Sequence, residues 1–361
     1  MKILLLGAAK TGTTAITYAI HEHFPDYEVV FEPPSLERID YGKENLIVKS
    51  LRVRDWDIIN QRAKQFDRRV LIVRHPLDRL ISTLLYEPFN GRGFSSDQVT
   101  AEYLELLWQK SIDPESVHIK QIVNYFNQLI GGKITRGFQA QYQDIARLAV
   151  SDSDFFVLRY EDFIDGNLAA LGQYLNLEFI PLNVEVPEKY QRVSRTKNYD
   201  DWKNWFTVDD LEYFSLDFSE ICNILQYDLT PDLEHSKVIS PEQSYEYVRK
   251  VINESRRMNF LPEFEQGQIR MIEEGLKFDQ AREKLRSGKF SEAASLVQQA
   301  ISLKPEIAGF YLLLGKVLAR ENQKKAAATA IVRAIELNPE VEKNLPQNLL
   351  KIKNSQSRTE S

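Results

Sequence analysis

The chain opens Met1-Lys-Ile-Leu-Leu-Leu-Gly7 and runs straight into Ala8-Ala9-Lys10-Thr11-Gly12-Thr13-Thr14. Residues 3–6 are wholly apolar, so the segment has no wet face and reads as a strand buried on both sides. Glycine stops it, a turn of small residues follows, and residues 15–23 carry helical periodicity. Such a strand belongs inside a parallel sheet with helices over both faces. Further apolar runs at residues 29–31, 46–48, 70–73 and 155–158 alternate with helix-like stretches, among them 55–66 and 77–86. Residues 101–150 read as helical throughout, with Trp108, Tyr125, Phe126 and Tyr142 as core. The predicted fold class is α/β, a parallel sheet flanked by helices. The opening apolar run is too short for a secretory leader, and no segment reaches the apolar length of a membrane span. The expected location is cytoplasmic.

At 361 residues the chain exceeds one average domain. A second unit is announced by an internal repeat. Gly288-Lys-Phe-Ser-Glu-Ala-Ala is echoed by Asn322-Gln-Lys-Lys-Ala-Ala-Ala, and Ala300-Ile-Ser-Leu-Lys-Pro305 by Ala334-Ile-Glu-Leu-Asn-Pro339. Both echoes are displaced by 34 residues, the period of the tetratricopeptide repeat. In that motif small residues let two antiparallel helices approach closely. The expected organisation is a P-loop-like domain over 1–235, a helical connector over 236–272, and two tetratricopeptide-like repeats over 273–345. These repeats form a small all-α unit, followed over 346–361 by a capping helix and a disordered tail. The net charge of −6 argues against nucleic acid or an anionic membrane as partner. The single cysteine, Cys222, excludes an intrachain disulfide, and the five histidines show no metal-ligand spacing.

Four elements in the first domain carry chemistry. Gly7 and Gly12 are five apart, the spacing of a nucleotide-binding P-loop, where backbone N–H groups converge on phosphate at a helix N-terminus. A kinase-type loop carries lysine directly after the second glycine. Here that position is Thr13, and the lysine is Lys10, inside the loop. The second element, Val73-Arg74-His75-Pro76-Leu77-Asp78-Arg79-Leu80-Ile81-Ser82, leaves a strand and opens a helix. The planar fork of Arg74 suits a phosphate, and Ser82 adds a hydroxyl. The third runs Arg195-Thr196-Lys197-Asn198-Tyr199-Asp200-Asp201-Trp202-Lys203-Asn204-Trp205-Phe206-Thr207. The fourth is a strand closing on Arg159-Tyr160-Glu161-Asp162.

Together, across residues 1–230, these elements resemble the sulfotransferases that use PAPS, 3'-phosphoadenosine-5'-phosphosulfate. The resemblance implies that Lys10, Thr11, Gly12, Thr13 and Thr14 bind the 5'-phosphosulfate, with Lys10 also neutralising charge on the leaving phosphate. It assigns the 3'-phosphate to Arg74 and Ser82, joined by Arg195. Thr196 stands where the family has lysine, and Lys197 and Asp200 stand where it has glycine, so Lys197 would supply charge from a shifted position. Tyr160 falls near the adenine. His75 occupies a position where the family accepts aspartate or asparagine, which implies a turn or capping role, and Arg79 is expected in an internal ion pair. The aryl and steroid branch takes its base from a histidine in a Lys-Thr-His element. The matching stretch here is Lys49-Ser50-Leu51, so Lys49 is kept and the histidine is not. Glu32, in Val30-Phe31-Glu32-Pro33, becomes the expected base, the role a glutamate fills in carbohydrate and several bacterial sulfotransferases. Its other reading is a strand-end charge paired with Arg52 or Arg54.

The implied reaction is sulfuryl transfer from PAPS, as co-substrate and without a metal, to a hydroxyl or amine acceptor by in-line displacement. The acceptor would be a small molecule, a lipid or a glycan, with residues 87–100 as a loop shaping its pocket. The repeats would serve a protein partner or self-association. Two other readings remain: a P-loop small-molecule kinase, and a tetratricopeptide adaptor with a degenerate nucleotide domain.

Overall fold

A computed structural model describes residues 1–91, 93–150, 154–178, 180, 184–187, 190, 198–230, 237–264, 271–343 and 345–356. The chain divides into two compact units, Met1–Glu87 with Val123–His235, and Pro88–Ile122 with Ser236–Ser361. Residues 88–122, which lie within the first domain expected from sequence, group instead with the C-terminal region.

The first unit holds β1 (Lys2–Gly7), α1 (Thr13–His21), β2 (Glu28–Phe31), β3 (Leu46–Ser50), α2 (Trp56–Arg62), β4 (Arg68–Val73) and α3 (Pro76–Tyr86). After α4 (Asp97–Ile112), which belongs to the second unit, α5 (Ile119–Ile130) leads back. The first unit continues with α6 (Ile134–Ala149), β5 (Phe156–Arg159), α7 (Tyr160–Asp165), α8 (Ala169–Leu175), α9 (Trp202–Trp205) and α10 (Val208–Leu225). The five strands are parallel in the order β2-β3-β1-β4-β5. The α/β expectation holds, and each predicted apolar run is a strand.

Both faces of the sheet are sealed. Ile3, Leu5, Ile47, Val70 and Ile72 pack with Ile16 and Ile20 of α1 and with Leu171 and Leu175 of α8. Leu4, Leu6, Val48, Leu71 and Val73 alternate with them and are equally buried, and α6 lies along β4. Each such aliphatic side chain contributes on the order of 1.5–3 kcal/mol. The first apolar run is therefore the middle strand. Among the described residues no helix is long and apolar enough to cross a membrane.

In the second unit α11 (Tyr245–Met258) is followed by α12 (Met271–Arg286), α13 (Phe290–Leu303), α14 (Ala308–Arg320) and α15 (Lys324–Leu337). A short turn of helix, α16 (Glu340–Lys343), and α17 (Gln347–Gln356) complete it. The 34-residue displacement is visible in three dimensions. Ala293 and Ala327, Val297 and Ile331, and Ala300 and Ala334 are matched pairs, all fully buried. Gly288 and Asn322 stand at equivalent turns, both left-handed, with φ 75° and 61°. Leu349 of α17 is buried with Ile331 and Ala334 of α15, so α17 covers the end of the last repeat.

Gly315 marks a close helix approach within the repeats. A Cβ there would lie 2.7 Å from Ile331 Cγ1 and 3.3 Å from the Ala327 carbonyl. Gly137, inside α6, faces open space. Gly315→Val should therefore destabilise the protein by about 1–3 kcal/mol through overpacking, whereas Gly137→Ala should stabilise it by about 0.5–1 kcal/mol through helix propensity. Thermal unfolding of the two variants checks both signs.

Candidate functional site

In a parallel sheet all strands point the same way, so their carboxyl ends share one edge. Here every strand delivers a candidate residue to that edge: β1 runs into the turn at residues 8–12, β2 into Glu32, β3 carries Lys49 in its last turn of pleat, β4 runs into Arg74, and β5 into Tyr160. The connection after β1 leads toward β2, while the connection after β4 leads toward β5. They diverge where α/β sheets form their ligand crevices.

The turn after β1 is built by close contacts that only glycine and small residues permit. A Cβ on Gly7 would lie 2.8 Å from Thr13 Cγ2 and 2.9 Å from the Ile72 carbonyl. Gly12 caps α1 at φ 81°, and a Cβ there would lie 2.4 Å from the Tyr160 ring. Lys10 is also left-handed, at φ 70°, and its ammonium sits 3.9 Å from the centre of the Tyr86 ring. Thr11 Oγ1 donates to the Ala8 carbonyl at 2.9 Å and pins the turn.

Two groups of charged residues flank this turn. On the β2–β3 side, Lys49 is 2% exposed and donates to Thr14 Oγ1 at 3.3 Å and to Glu32. Glu32 is 45% exposed and has a left-handed φ of 53°. Burial pulls the Lys49 pKa down, opposed by the hydrogen bond and charge of Glu32. The alternative partners of Glu32 are engaged elsewhere, Arg52 with Asp55 and Arg54 with Asp144.

On the β4–β5 side, Arg74 is 6% exposed. It donates to the Lys10 and Asn198 carbonyls, each at 3.3 Å, and lies over the Tyr160 ring at 4.4 Å. Its Nε is buried without a hydrogen-bond partner. Tyr142 Oη donates to the Arg74 carbonyl at 2.8 Å from below. Ser82 is buried within α3. Arg195, Thr196 and Lys197 lie outside the described residues.

The residues around Arg74 are fixed by a network that the sequence did not reveal. His75 caps α3: its Nδ1 accepts from the Leu77 N–H at 3.2 Å, its Nε2 is 2.9 Å from the Asp228 carbonyl, and its ring stacks on Trp202. This arrangement fits the capping role expected for it. Asp78 accepts from the backbone N–H groups of Asp200 at 2.7 Å and Trp202 at 2.9 Å, which ties a segment far along the chain to α3. Asp200, where the resemblance puts a glycine, is left-handed at φ 63°, a conformation aspartate tolerates. Glu161 accepts from the His75 N–H at 3.0 Å and from Tyr227 Oη at 2.9 Å. Arg79, expected in an ion pair, instead donates to the Ala9 carbonyl at 2.7 Å and to Gln141 Oε1 at 2.5 Å. In sequence, Asp78 and Glu161 are simply acids in a first helical turn. Nothing local names their distant partners.

Burial pushes the His75 pKa down to about 4 and the Asp78 carboxyl up to about 6. Unfolding frees His75 to take a proton, so its contribution to stability is full above 6.5 and is lost as pH falls toward 4. Unfolding frees Asp78 to lose one, so its contribution is full below 3.8 and is lost as pH rises through about 6. The two slopes oppose each other in the interval between. Relative to the parent chain, Asp78→Asn should add a loss of stability on acidification, up to about 1.4 kcal/mol per pH unit, and His75→Asn should add the reverse. Denaturant unfolding across this interval checks it; identical pH slopes in all three chains would refute it.

No curated protein and no solved structure matches the chain. Residues 278–342 match the family model described as Tetratricopeptide repeat.

Proposed function

We propose that the first unit is a PAPS-dependent sulfotransferase. The observation that carries the reading is Arg74. It is a nearly fully buried guanidinium beside the 8–12 turn, hydrogen-bonded among the described residues only to neutral carbonyls, with Nε unmet. A buried arginine in that condition calls for an anion with bidentate acceptors, as a phosphate provides. An adenosine 3'-phosphate at Arg74, with its 5' end toward Lys10 and the start of α1, meets that call. An ATP-type ligand has no group there.

In this reading the backbone of residues 8–14 and Lys10 hold the 5' group and spread the negative charge that develops on the leaving phosphate oxygen. Lys49 braces Glu32 beside Thr14 at the head of α1. An acceptor hydroxyl or amine attacks sulfur, the bond between sulfur and the bridging phosphate oxygen breaks, and Glu32 takes the acceptor proton. The products are the sulfated acceptor and adenosine 3',5'-bisphosphate. Ser82, Arg195, Thr196 and Lys197 are assigned to the 3'-phosphate, and Tyr160 to the adenosine side, by resemblance. The acceptor class is small molecule, lipid or glycan.

Calorimetry with adenosine 3',5'-bisphosphate, AMP and ATP tests the donor site. Tight binding of the bisphosphate alone is expected, weakened about 10- to 100-fold in Arg74→Ala. Equal affinity for AMP would sink the reading, and preference for ATP with magnesium would favour a kinase. Glu32→Gln should keep that binding and lose about 10²–10⁴ in turnover. Near-parental turnover would remove Glu32 as base.

A further inference from the structure

Helix α4 lies in the insertion between α3 and α5 and buries half of its residues, with Tyr103, Leu104, Leu107, Trp108 and Ile112 each at most 5% exposed. Glu105, Trp108 and Ile112 fall on one face at helical spacing, and that face meets the repeats. The Trp108 ring stands edge-on to Phe310 of α14 at 5.9 Å. Lys304, just after α13, reaches Glu105 at 3.0 Å and lies 5.7 Å from the Trp108 ring centre. Arg282 of α12 donates to the Ser111 carbonyl at 3.1 Å. At the start of α14, a Cβ on Gly309 would lie 3.2 Å from both Ile112 Cγ2 and Asp113 Cβ. Asp113 and Lys316 of α14 are buried opposite charges: burial raises one pKa and lowers the other, and each partner opposes the other's shift.

Because α12 and α14 are the first helices of the two successive repeats, α4 lies along the face they share. The beginning of the insertion is gripped as well. Ser255 of α11 donates to the Phe89 carbonyl at 2.6 Å, and Arg256 donates to the Ser95 carbonyl at 2.8 Å and pairs with Asp97. Farther along, Lys237 pairs with Glu115 at 2.5 Å.

The geometry points to an internal client: the tetratricopeptide repeats hold this chain's own helix α4, and Lys237 with helices α11 to α14 acts as a clasp on the insertion that carries it. A protein arriving at that face must first displace α4. The clasp does not depend on the transfer reading.

Charge exchange in the full chain tests it. Glu105→Lys and Lys304→Glu each oppose like charges, and the double exchange restores attraction without touching the apolar core. Thermolysin, which cuts beside apolar residues, gains no site from either change, and fragment masses report cleavage within 97–122. Each single exchange should speed that cleavage by about three- to tenfold, and the double should return it to the parental rate. Light scattering should show a monomer. Unchanged cleavage in both singles, or a double that only sums their effects, overturns the clasp. A rescued dimer holding α4 between chains overturns its internal form.

Discussion

Strand β1 is hydrogen-bonded on both edges, to β3 and to β4, and residues 3–6 have no solvent exposure on either face. A strand so placed cannot shift register without moving the whole core. A one-residue slip would exchange the side chains facing α1 and α8 with those facing the opposite layer. The 8–12 turn inherits this rigidity directly. Lys10 and Gly12 hold left-handed backbone, and Gly7 admits the Ile72 carbonyl at a distance no side chain would allow. The turn then sits between Thr14, Lys49 and Glu32 on one side and Arg74 and Tyr160 on the other. Both charged groups depend on the alignment of a single central strand.

The strands were readable because fully buried parallel strands are uninterrupted apolar runs. The glycines were readable because close approach and positive φ leave few other residues possible. The pairings within the site were not. The sequence offered Arg52 or Arg54 as partners for Glu32. In the sheet Phe31 pairs with Lys49, so the residue after Phe31 meets the lysine on the neighbouring strand. Arg79 met a carbonyl and an amide where an acid was expected, because its position under the turn faces backbone. Asp78 and Glu161 went unread because their partners are set by tertiary structure alone.

The connector expected over 236–272 has a similar history. Residues 245–258 are strongly polar in total, yet Tyr245, Val248, Val251, Ile252 and Ser255 form one buried stripe. Average hydropathy conceals such a stripe, and spacing reveals it. The repeats were legible to the residue in period. What they pack against was not, because α4 lies some 200 residues earlier and carries no repeat signature of its own; the separation between Glu105 and Lys304 is 199. Two parts of the chain that look independent in sequence thus share one core.

The tie from Asp78 to the backbone of Asp200 and Trp202 spans 122 and 124 residues. It closes a loop that contains β5, the insertion and, among the described residues, the helices α5 to α8. Contacts of such long range form late, after the loop-closure entropy has been met by other structure. A ribosome releasing this chain in order can expose β1 to β4 and the 8–12 turn long before residue 200 has been made. The nascent sheet would then present an open cradle with nothing to hold Asn198 against Arg74. The full set of hydrogen bonds that holds Arg74 at this edge is therefore a property of the finished fold, and a growing chain with only its first four strands lacks the one to Asn198.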